Sequence, residues 1–183
     1  MTIAVLSLSG RVWWCACGQA YPFSLDIWSA HNSQHLADPY VFTHLLHGFL
    51  FCALARLLVR DRLEPEQVWL LVVLVECLWE LAENTPSVIV RYRESTLALD
   101  YFGDSIANSL GDILACALGC WLGLRLPVWA SVSIFLITEV LLALWIRDGL
   151  LLSVWMLFFS TETIRQWQLH GRDMPQGARW LGW

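Results

Sequence analysis

Apolar residues in this chain are gathered into blocks that are long enough, or almost long enough, to cross a lipid bilayer. A bilayer-spanning helix needs about 20 predominantly apolar residues. Five blocks approach that length, and they cover residues 44–59, 68–82, 105–124, 128–146 and 150–167. A shorter apolar stretch precedes residue 11 and adds at most one short span. The pattern predicts a single integral membrane domain over residues 1–183, an all-α bundle of five or six transmembrane helices.

The overall composition excludes an ordinary soluble domain and argues against nucleic acid as a partner. Hydrophobic residues make up 57% of the 183 residues, and the mean hydropathy is +0.55. The formal net charge is −5, and the 11 basic residues are all arginines that form no basic run. Proteins that bind nucleic acid instead carry basic surfaces that neutralise phosphates. We expect the lipid bilayer as the main partner, with a homo-oligomer or a larger membrane complex as a further option.

The arginines also predict an orientation, because basic residues near span ends are retained on the cytoplasmic side. One side of the alternating topology holds seven of them, Arg56, Arg60, Arg62, Arg125, Arg165, Arg172 and Arg179, and the other holds Arg11, Arg91, Arg93 and Arg147. This bias predicts a multi-pass protein of the bacterial inner membrane. Two long loops, about residues 11–43 and 83–104, would then pack as caps on its outer face.

Polar stripes occur along two of the apolar blocks, and a single glutamate, Glu139, lies within another block. In the second and third blocks the polar residues are spaced three or four apart, which places each set on one helix face. A carboxylate at the bilayer centre costs about 2.5–3.5 kcal/mol, so such residues normally face a protein interior. The stripes predict a polar funnel with candidate catalytic walls of Glu80, Glu83, Asp104 and Asn108, and a floor of Glu76, Asp112 and Glu139. The alternative is a structural hydrogen-bond network that joins the helices.

Four of the five histidines lie close together near the start of the first long block. His31 and His35 are spaced four apart, and His44 and His47 are spaced three apart. We predict that these four histidines form the outer rim of the funnel and bind a metal ion. Imidazole and carboxylate ligands together suit zinc, iron or copper. The alternative is that His44 and His47 are hydrogen-bonding residues at the membrane interface.

Two cysteines lie outside the long apolar blocks, in the segment Cys15-Ala16-Cys17-Gly18. A Cys-x-Cys pair is a weak motif, because the disulfide that it would form is strained. The segment is a candidate thiol site, either as a metal-binding clip or as a redox pair in an oxidising compartment. The other four cysteines lie within apolar blocks, where buried thiols are common.

Three classes of function fit these features. The first is a metal-dependent membrane hydrolase or oxidase acting on a lipid-like substrate, with Glu80 or Glu83 as general base toward a metal-activated water. The second is an ion- or proton-coupled transporter that uses Glu76, Asp112 and Glu139 near the membrane midplane. The third is a non-catalytic assembly factor of a membrane complex. A bound metal separates the first class from the other two.

Several short motifs in order give the chain a family resemblance. They are Arg11…Cys15-Ala16-Cys17-Gly18, His31-Asn32-Ser33-Gln34-His35, His44-Leu45-Leu46-His47-Gly48, Glu80-Leu81-Ala82-Glu83-Asn84, Arg91-Tyr92-Arg93, Gly103-Asp104-Ser105 and Trp145-Ile146-Arg147-Asp148. From Gly10 to about Gln168 the chain resembles uncharacterised protein family 0314 (UPF0314), a group of bacterial multi-pass membrane proteins. The resemblance implies a location in the bacterial cell membrane and no particular activity.

One departure from that family concerns the beginning of the sequence. Members that resemble this chain usually carry a full apolar span before the Gly-Arg pair that corresponds to Gly10-Arg11. Nine residues precede the pair here. We expect either a start site that lies further upstream or the loss of the first span.

Overall fold

The computed structural model describes residues 1–59, 62–95 and 101–170. Within these ranges the regular secondary structure is helical, apart from one isolated β-bridge between Phe23 and Ala37 in the first long loop. The helices are α1 (Thr2–Leu8), α2 (Val41–Val59), α3 (Pro65–Glu83), α4 (Pro86–Ser95), α5 (Ile106–Arg125), α6 (Val128–Trp145), α7 (Leu150–Phe159) and α8 (Glu162–Leu169). The all-α prediction is confirmed for this part of the chain.

Three of the described helices are both long enough and apolar enough to cross a membrane, namely α2, α5 and α6. Helix α3 has 19 residues, which corresponds to about 28 Å at 1.5 Å per residue. It also carries four glutamates, at positions 66, 76, 80 and 83, which lower its apolar character. The described structure therefore supports a membrane protein with three candidate spans, and it does not confirm the predicted count of five or six.

The last apolar block, residues 150–167, is divided into two short helices and does not form the single span that we predicted. Helix α7 has 10 residues, about 15 Å, which is half the thickness of a bilayer core. It ends at Ser160, whose φ of 41° is left-handed. Helix α8 then returns toward the α6–α7 corner, where an Arg147 guanidinium N–H donates to the Trp167 carbonyl at 3.1 Å.

This return changes the count of arginines on which the predicted orientation depends. Arg165 lies on α8, and the helix brings it back toward the end of the bundle that holds Arg147. Arg60, Arg172 and Arg179, which the same count used, lie outside the described residues. The inner-membrane location and the outward-facing site therefore stay predictions.

Helices α2 and α5 pack closely because glycines face backbone at their contact. A Cβ atom added at Gly48 would overlap the Cys116 carbonyl oxygen, and one at Gly119 would overlap the carbonyl oxygen of Leu45. Small residues allow membrane helices to approach in this way. Beside this contact, Cys52 of α2 and Val72 of α3 are buried in one apolar cluster with residues of α5. The interior of the bundle is thus centred on α2, α3 and α5.

The first long loop covers the amino-terminal end of α5 and satisfies backbone groups that a helix leaves unpaired there. The Ile106 N–H donates to the Val12 carbonyl at 2.8 Å, and the Ala107 N–H donates to the Trp13 carbonyl at 3.2 Å. The Ser105 side chain caps the helix by accepting the Asn108 N–H at 3.1 Å. The loop is therefore fixed to the bundle at the end where the polar stripes begin.

We expect Gly119→Ala to destabilise the protein, because the new methyl group would meet the Leu45 carbonyl oxygen. Overpacking of this kind typically costs about 1–3 kcal/mol of unfolding free energy. Gly123→Ala is the matched control, since the nearest atom to its Cβ would be the Cys52 sulfur at an ordinary 3.4 Å. Thermal unfolding of both variants in detergent measures the difference, and equal losses would contradict the close contact at Gly119.

Candidate functional site

Two histidines of α2 contact one glutamate of α3 inside the bundle. His44 and His47 are three residues apart, so both project from the same face of α2. His44 Nδ1 lies 2.6 Å from Glu76 Oε1, and His47 Nδ1 lies 3.1 Å from Glu76 Oε2. Glu76 has no solvent exposure, and both histidines are 7% exposed. These three residues form a buried set with two imidazoles and one carboxylate.

Two further carboxylates extend this set, one on α3 and one on α5. Glu80 Oε1 lies 3.4 Å from His44 Nδ1, and Asp112 Oδ2 lies 4.0 Å from His44 Nε2. Glu83 lies one turn beyond Glu80, and its carboxylate is within 4.8 Å of ligand atoms of His44 and Glu80. We call these six residues, together with Asp104 and Asn108, the inner cluster. The two polar stripes predicted from the sequence therefore face each other and α2.

The predicted order of depth, with His44 and His47 at the rim and Glu76 on the floor, is wrong. His44 and Glu76 are in direct contact, so rim and floor lie at one level. The physical reason is that the interior continues outward past the start of α2. Asp38 and Pro39, in the loop before that helix, are both buried.

Glu139 does not belong to the floor that the sequence predicted. Its carboxylate accepts the Leu150 N–H at 2.8 Å and the Leu151 N–H at 3.1 Å, so it caps the amino-terminal end of α7. These are donors that a helix start leaves unpaired, and a negative charge is favourable at that end. Glu139 thus has a local structural role that joins α6 to α7.

Several polar atoms of the inner cluster are buried without a hydrogen-bond partner in the part of the chain that the structure describes. They are both carboxylate oxygens of Glu80, one oxygen each of Glu83 and Asp112, and the amide nitrogen of Asn108. A buried charge without partners is costly, and buried polar groups are usually paired. The carboxylate oxygens of Glu80 and Asp112 would therefore be stabilised by a positively charged group beside them.

Asp104 differs from Glu80 because its side-chain hydrogen bonds are formed. It accepts the Asn84 amide at 2.9 Å and the Tyr101 hydroxyl at 3.0 Å, while its own N–H donates to the Asn84 side chain at 2.8 Å. Burial raises the pKa of Asp104 to about 6 despite these donors. The pair with Asn84 ties the end of α3 to the start of α5.

A cavity of about 70 Å³ opens beside the inner cluster. Its polar wall includes His44, His47, Glu83, Asp104, Asn108 and Asp112. Its other walls are formed by Asn32, Ser33, Tyr40, Thr43, Trp79, Tyr92, Tyr101, Asp148, Leu150, Ser153, Val154 and Leu157. Helix α7 supplies most of the apolar part of this lining. The cavity lining therefore combines the polar side chains of the inner cluster with apolar and aromatic side chains.

Sequence reasoning missed Asp148 and Tyr40 as residues of this cavity. The Tyr40 hydroxyl lies 3.3 Å from Asp148, which also accepts the Gly149 N–H and the Ser153 hydroxyl. Burial raises the pKa of Asp148 to about 6. Because Asp148 follows Arg147 in the chain, an ion pair between them is the simplest interpretation of the sequence. The sequence feature that could have indicated another partner for Asp148 is Ser153, five residues further on, whose hydroxyl donates to it.

The four histidines of the predicted metal site are divided between two places. His31 and His35 lie with Cys15 and Cys17, where ligand atoms of all four residues are within 4.8 Å of one another. His44 and His47 belong to the inner cluster. The residue spacing predicted the two pairs of histidines. It contained no information that His31 and His35 lie beside Cys15 and Cys17.

Comparisons with known proteins decide the family. A family model described as "Protein of unknown function (DUF2585)" matches residues 6–170. A UPF0314 protein of Rhizobium meliloti (strain 1021) is 45% identical over 166 residues, which are 91% of this chain and 84% of the relative. The chain belongs to the UPF0314 family. The resemblance seen in the sequence motifs is thereby confirmed.

Other members of UPF0314 show a similar degree of identity. The protein of Sinorhizobium fredii (strain NBRC 101917 / NGR234) is 47% identical over 88% of this chain and 81% of its own length. The protein of Paracoccus denitrificans (strain Pd 1222) is 46% identical over 87% of this chain and 82% of its own length. No solved structure matches the chain. The names of these UPF0314 relatives state no activity, so a function has to be argued from the site.

We expect Asp104→Asn to change how stability depends on pH. The ordinary pKa of an aspartate is 3.8, and burial raises that of Asp104 to about 6, so the folded protein keeps a proton that the unfolded chain releases. The free energy of unfolding should therefore fall as pH rises from about 4 to about 6, and this contribution should be constant above that window.

Asparagine does not titrate, so the Asp104→Asn variant should lose this part of the slope. Thermal unfolding in detergent at a series of pH values measures it. Asp148 keeps its own contribution in both proteins, so the difference between the two slopes reports Asp104 alone. Parallel pH profiles for the two proteins would contradict the raised pKa.

Proposed function

We propose that this UPF0314 protein is a metal-dependent integral membrane enzyme that acts on a lipid or lipid-linked substrate. The metal site is the set of His44, His47 and Glu76, with Glu80 and Asp112 beside it. The observation that carries the proposal is the contact of two imidazoles with one fully buried carboxylate, next to carboxylate oxygens that have no hydrogen-bond partner among the described residues.

The balance of charge in the cluster supports a bound cation. Glu76, Glu80 and Asp112 carry up to three negative charges, and the ion-pair partners within 4 Å that the described residues give them are His44 and His47. Two neutral imidazoles contribute no charge, and two protonated ones are still one short. Buried carboxylates are normally paired or bound to a metal. A divalent ion would neutralise two of the three charges at once.

The types of ligand favour zinc or iron. Two histidines and one carboxylate are a ligand set of zinc hydrolases, and the same set binds iron in oxygenases. Such a set leaves open positions on the metal, which a catalytic site needs and a purely structural site does not. A metal held there supplies a Lewis acid beside the cavity.

Other residues of the cluster then have chemical roles. Glu80 or Glu83 serves as general base, because their carboxylates lie beside the metal ligands and retain oxygens without partners. The Asn108 amide lines the cavity and has a nitrogen with no acceptor, so it can donate to an oxygen of the substrate. Asp104 is a positioning residue, since its hydrogen bonds to Asn84 and Tyr101 hold α3 against α5.

The cavity supports a lipid-like substrate. Leu150, Val154 and Leu157 of α7 contribute apolar side chains to its lining, and the inner cluster contributes polar ones. Binding sites of this kind place a few polar groups against a mainly apolar lining. A molecule with a polar head and an acyl or isoprenoid tail satisfies both kinds of side chain.

The transport hypothesis has less support from the geometry. It needs Glu76, Asp112 and Glu139 as one site near the membrane midplane, and Glu139 caps α7 instead. The assembly-factor hypothesis treats the cluster as a hydrogen-bond network between helices, yet neither oxygen of Glu80 has a hydrogen-bond partner among the described residues. A metal site accounts for these oxygens, and a finished network does not.

We expect His44→Ala and His47→Ala to lose one equivalent of zinc or iron relative to the wild-type protein. His170→Ala is the matched control, because His170 lies at the end of α8 and is bonded to the Gln166 carbonyl. Element-resolved analysis of gently purified protein measures the metal. Glu80→Gln, which keeps the shape of the side chain, should weaken metal binding without loss of fold. A metal content that is equal in wild type and all variants would overturn the proposal.

A further inference from the structure

A second group of metal-binding side chains lies in the first long loop, apart from the inner cluster. Cys15 Sγ lies 3.3 Å from His31 Nδ1, and Cys17 Sγ lies 3.8 Å from His35 Nε2. One ligand atom from each of the four residues lies within 4.8 Å of the others. Cys15 and His35 are buried, and Cys17 and His31 are partly buried. We call this group the loop cluster.

The dimensions of the loop cluster match a tetrahedral zinc site. Zinc lies about 2.3 Å from a cysteine sulfur and about 2.0–2.1 Å from a histidine nitrogen, so tetrahedral geometry places its ligand atoms about 3.3–3.8 Å apart. The two thiol–imidazole distances of 3.3 and 3.8 Å fall at the limits of that range. Two cysteines and two histidines are also one of the common ligand sets of structural zinc.

The surroundings of the loop cluster hold its ligands in place. Gly18 has a φ of +68°, and its N–H donates to the Cys15 carbonyl at 3.2 Å, so the chain turns tightly around Cys17. The Gln19 N–H donates to the Cys17 sulfur at 3.4 Å, a contact that stabilises a thiolate. The Tyr21 ring stacks on His35 with 4.2 Å between ring centroids.

We propose that Cys15, Cys17, His31 and His35 bind one structural zinc ion. This ion holds in place the part of the first long loop that lines the cavity. The two histidine ligands bracket the segment Asn32-Ser33-Gln34, and Asn32 and Ser33 line the cavity. This site does not depend on the proposed enzymatic function, since none of its ligands belongs to the inner cluster.

The bracketed segment connects the loop cluster to α5 and to the turn that precedes it. The Ser33 carbonyl accepts the Ser105 N–H at 2.9 Å, and the Gln34 side chain donates to the Gly103 carbonyl at 2.9 Å. The Ser33 N–H also donates to the side chain of Asp38, which follows the segment in the chain, at 2.7 Å. Zinc bound at both histidines would therefore hold the segment over the inner cluster.

The choice of zinc over copper or iron follows from closure of the ligand set. Four protein ligands complete the tetrahedron and leave no open position for a substrate or for oxygen, which is typical of structural zinc. Metal binding also requires the thiols in the thiolate form. A disulfide between Cys15 and Cys17 is the competing state of the same residues, and the experiment distinguishes the two.

The test uses the full-length protein purified in detergent without chelator. We expect the double variant Cys15→Ser/Cys17→Ser to lose one zinc equivalent and to keep the metal of the inner cluster. Cys77→Ser is the matched control, since Cys77 lies on α3 away from the loop cluster. The reverse pattern is expected for His44→Ala, which should keep the loop zinc. The two proposals can therefore fail separately.

Cobalt substitution gives a readout that identifies the ligands. Protein loaded with Co²⁺ should show a thiolate-to-cobalt charge-transfer band that the double cysteine variant loses and His44→Ala retains. Hydrogen exchange at the Ser105 amide should become faster when zinc is removed, because its acceptor is the Ser33 carbonyl. A zinc content unchanged in the double variant, or a Cys15–Cys17 disulfide in protein from native membranes, would overturn the proposal.

Discussion

The contact between His44 and Glu76 is the interaction on which the interior of this protein depends. It places an ionisable pair at 2.6 Å inside a helix bundle, where Glu76 has no solvent exposure and His44 is 7% exposed. The contact holds α2 against α3, and α5 completes the enclosure because Gly48 and Gly119 let it approach α2 at backbone distance. The glycines and the charges therefore belong to one arrangement. Close packing excludes water, and the exclusion of water makes every unpaired carboxylate oxygen costly.

Part of this arrangement could be predicted from the sequence, because it follows from helical periodicity. The spacing of Glu76, Glu80 and Glu83, and of Asp104, Asn108 and Asp112, predicts two polar faces, and the structure brings both faces to α2. The all-α class and the family follow from composition and motif order in the same way. Faces of regular helices can be predicted because the period of the helix is fixed.

The rest could not be predicted because it depends on how the chain turns between helices. Ser160 ends α7 in the left-handed conformation, and the sequence around it does not specify that α8 returns toward Arg147. From the sequence, Glu139 is an acidic residue within a membrane span. Its role depends on the start of α7 beside it, where two backbone N–H groups donate to its carboxylate. His31 and His35 meet Cys15 and Cys17 because of a turn at Gly18, and residue spacing alone contains no information about that meeting.

The two candidate metal sites differ in the way that structural and catalytic sites are known to differ. The loop cluster offers two thiols and two imidazoles, which complete a tetrahedron. The inner cluster offers imidazoles and carboxylates, with spare oxygens and a cavity beside them. The chain from His31 to His35 connects the two clusters. His31 and His35 belong to the loop cluster, and Asn32 and Ser33 between them line the cavity beside the inner cluster. Zinc bound at the loop cluster would therefore fix the position of Asn32 and Ser33, and with it one part of the cavity beside the inner cluster.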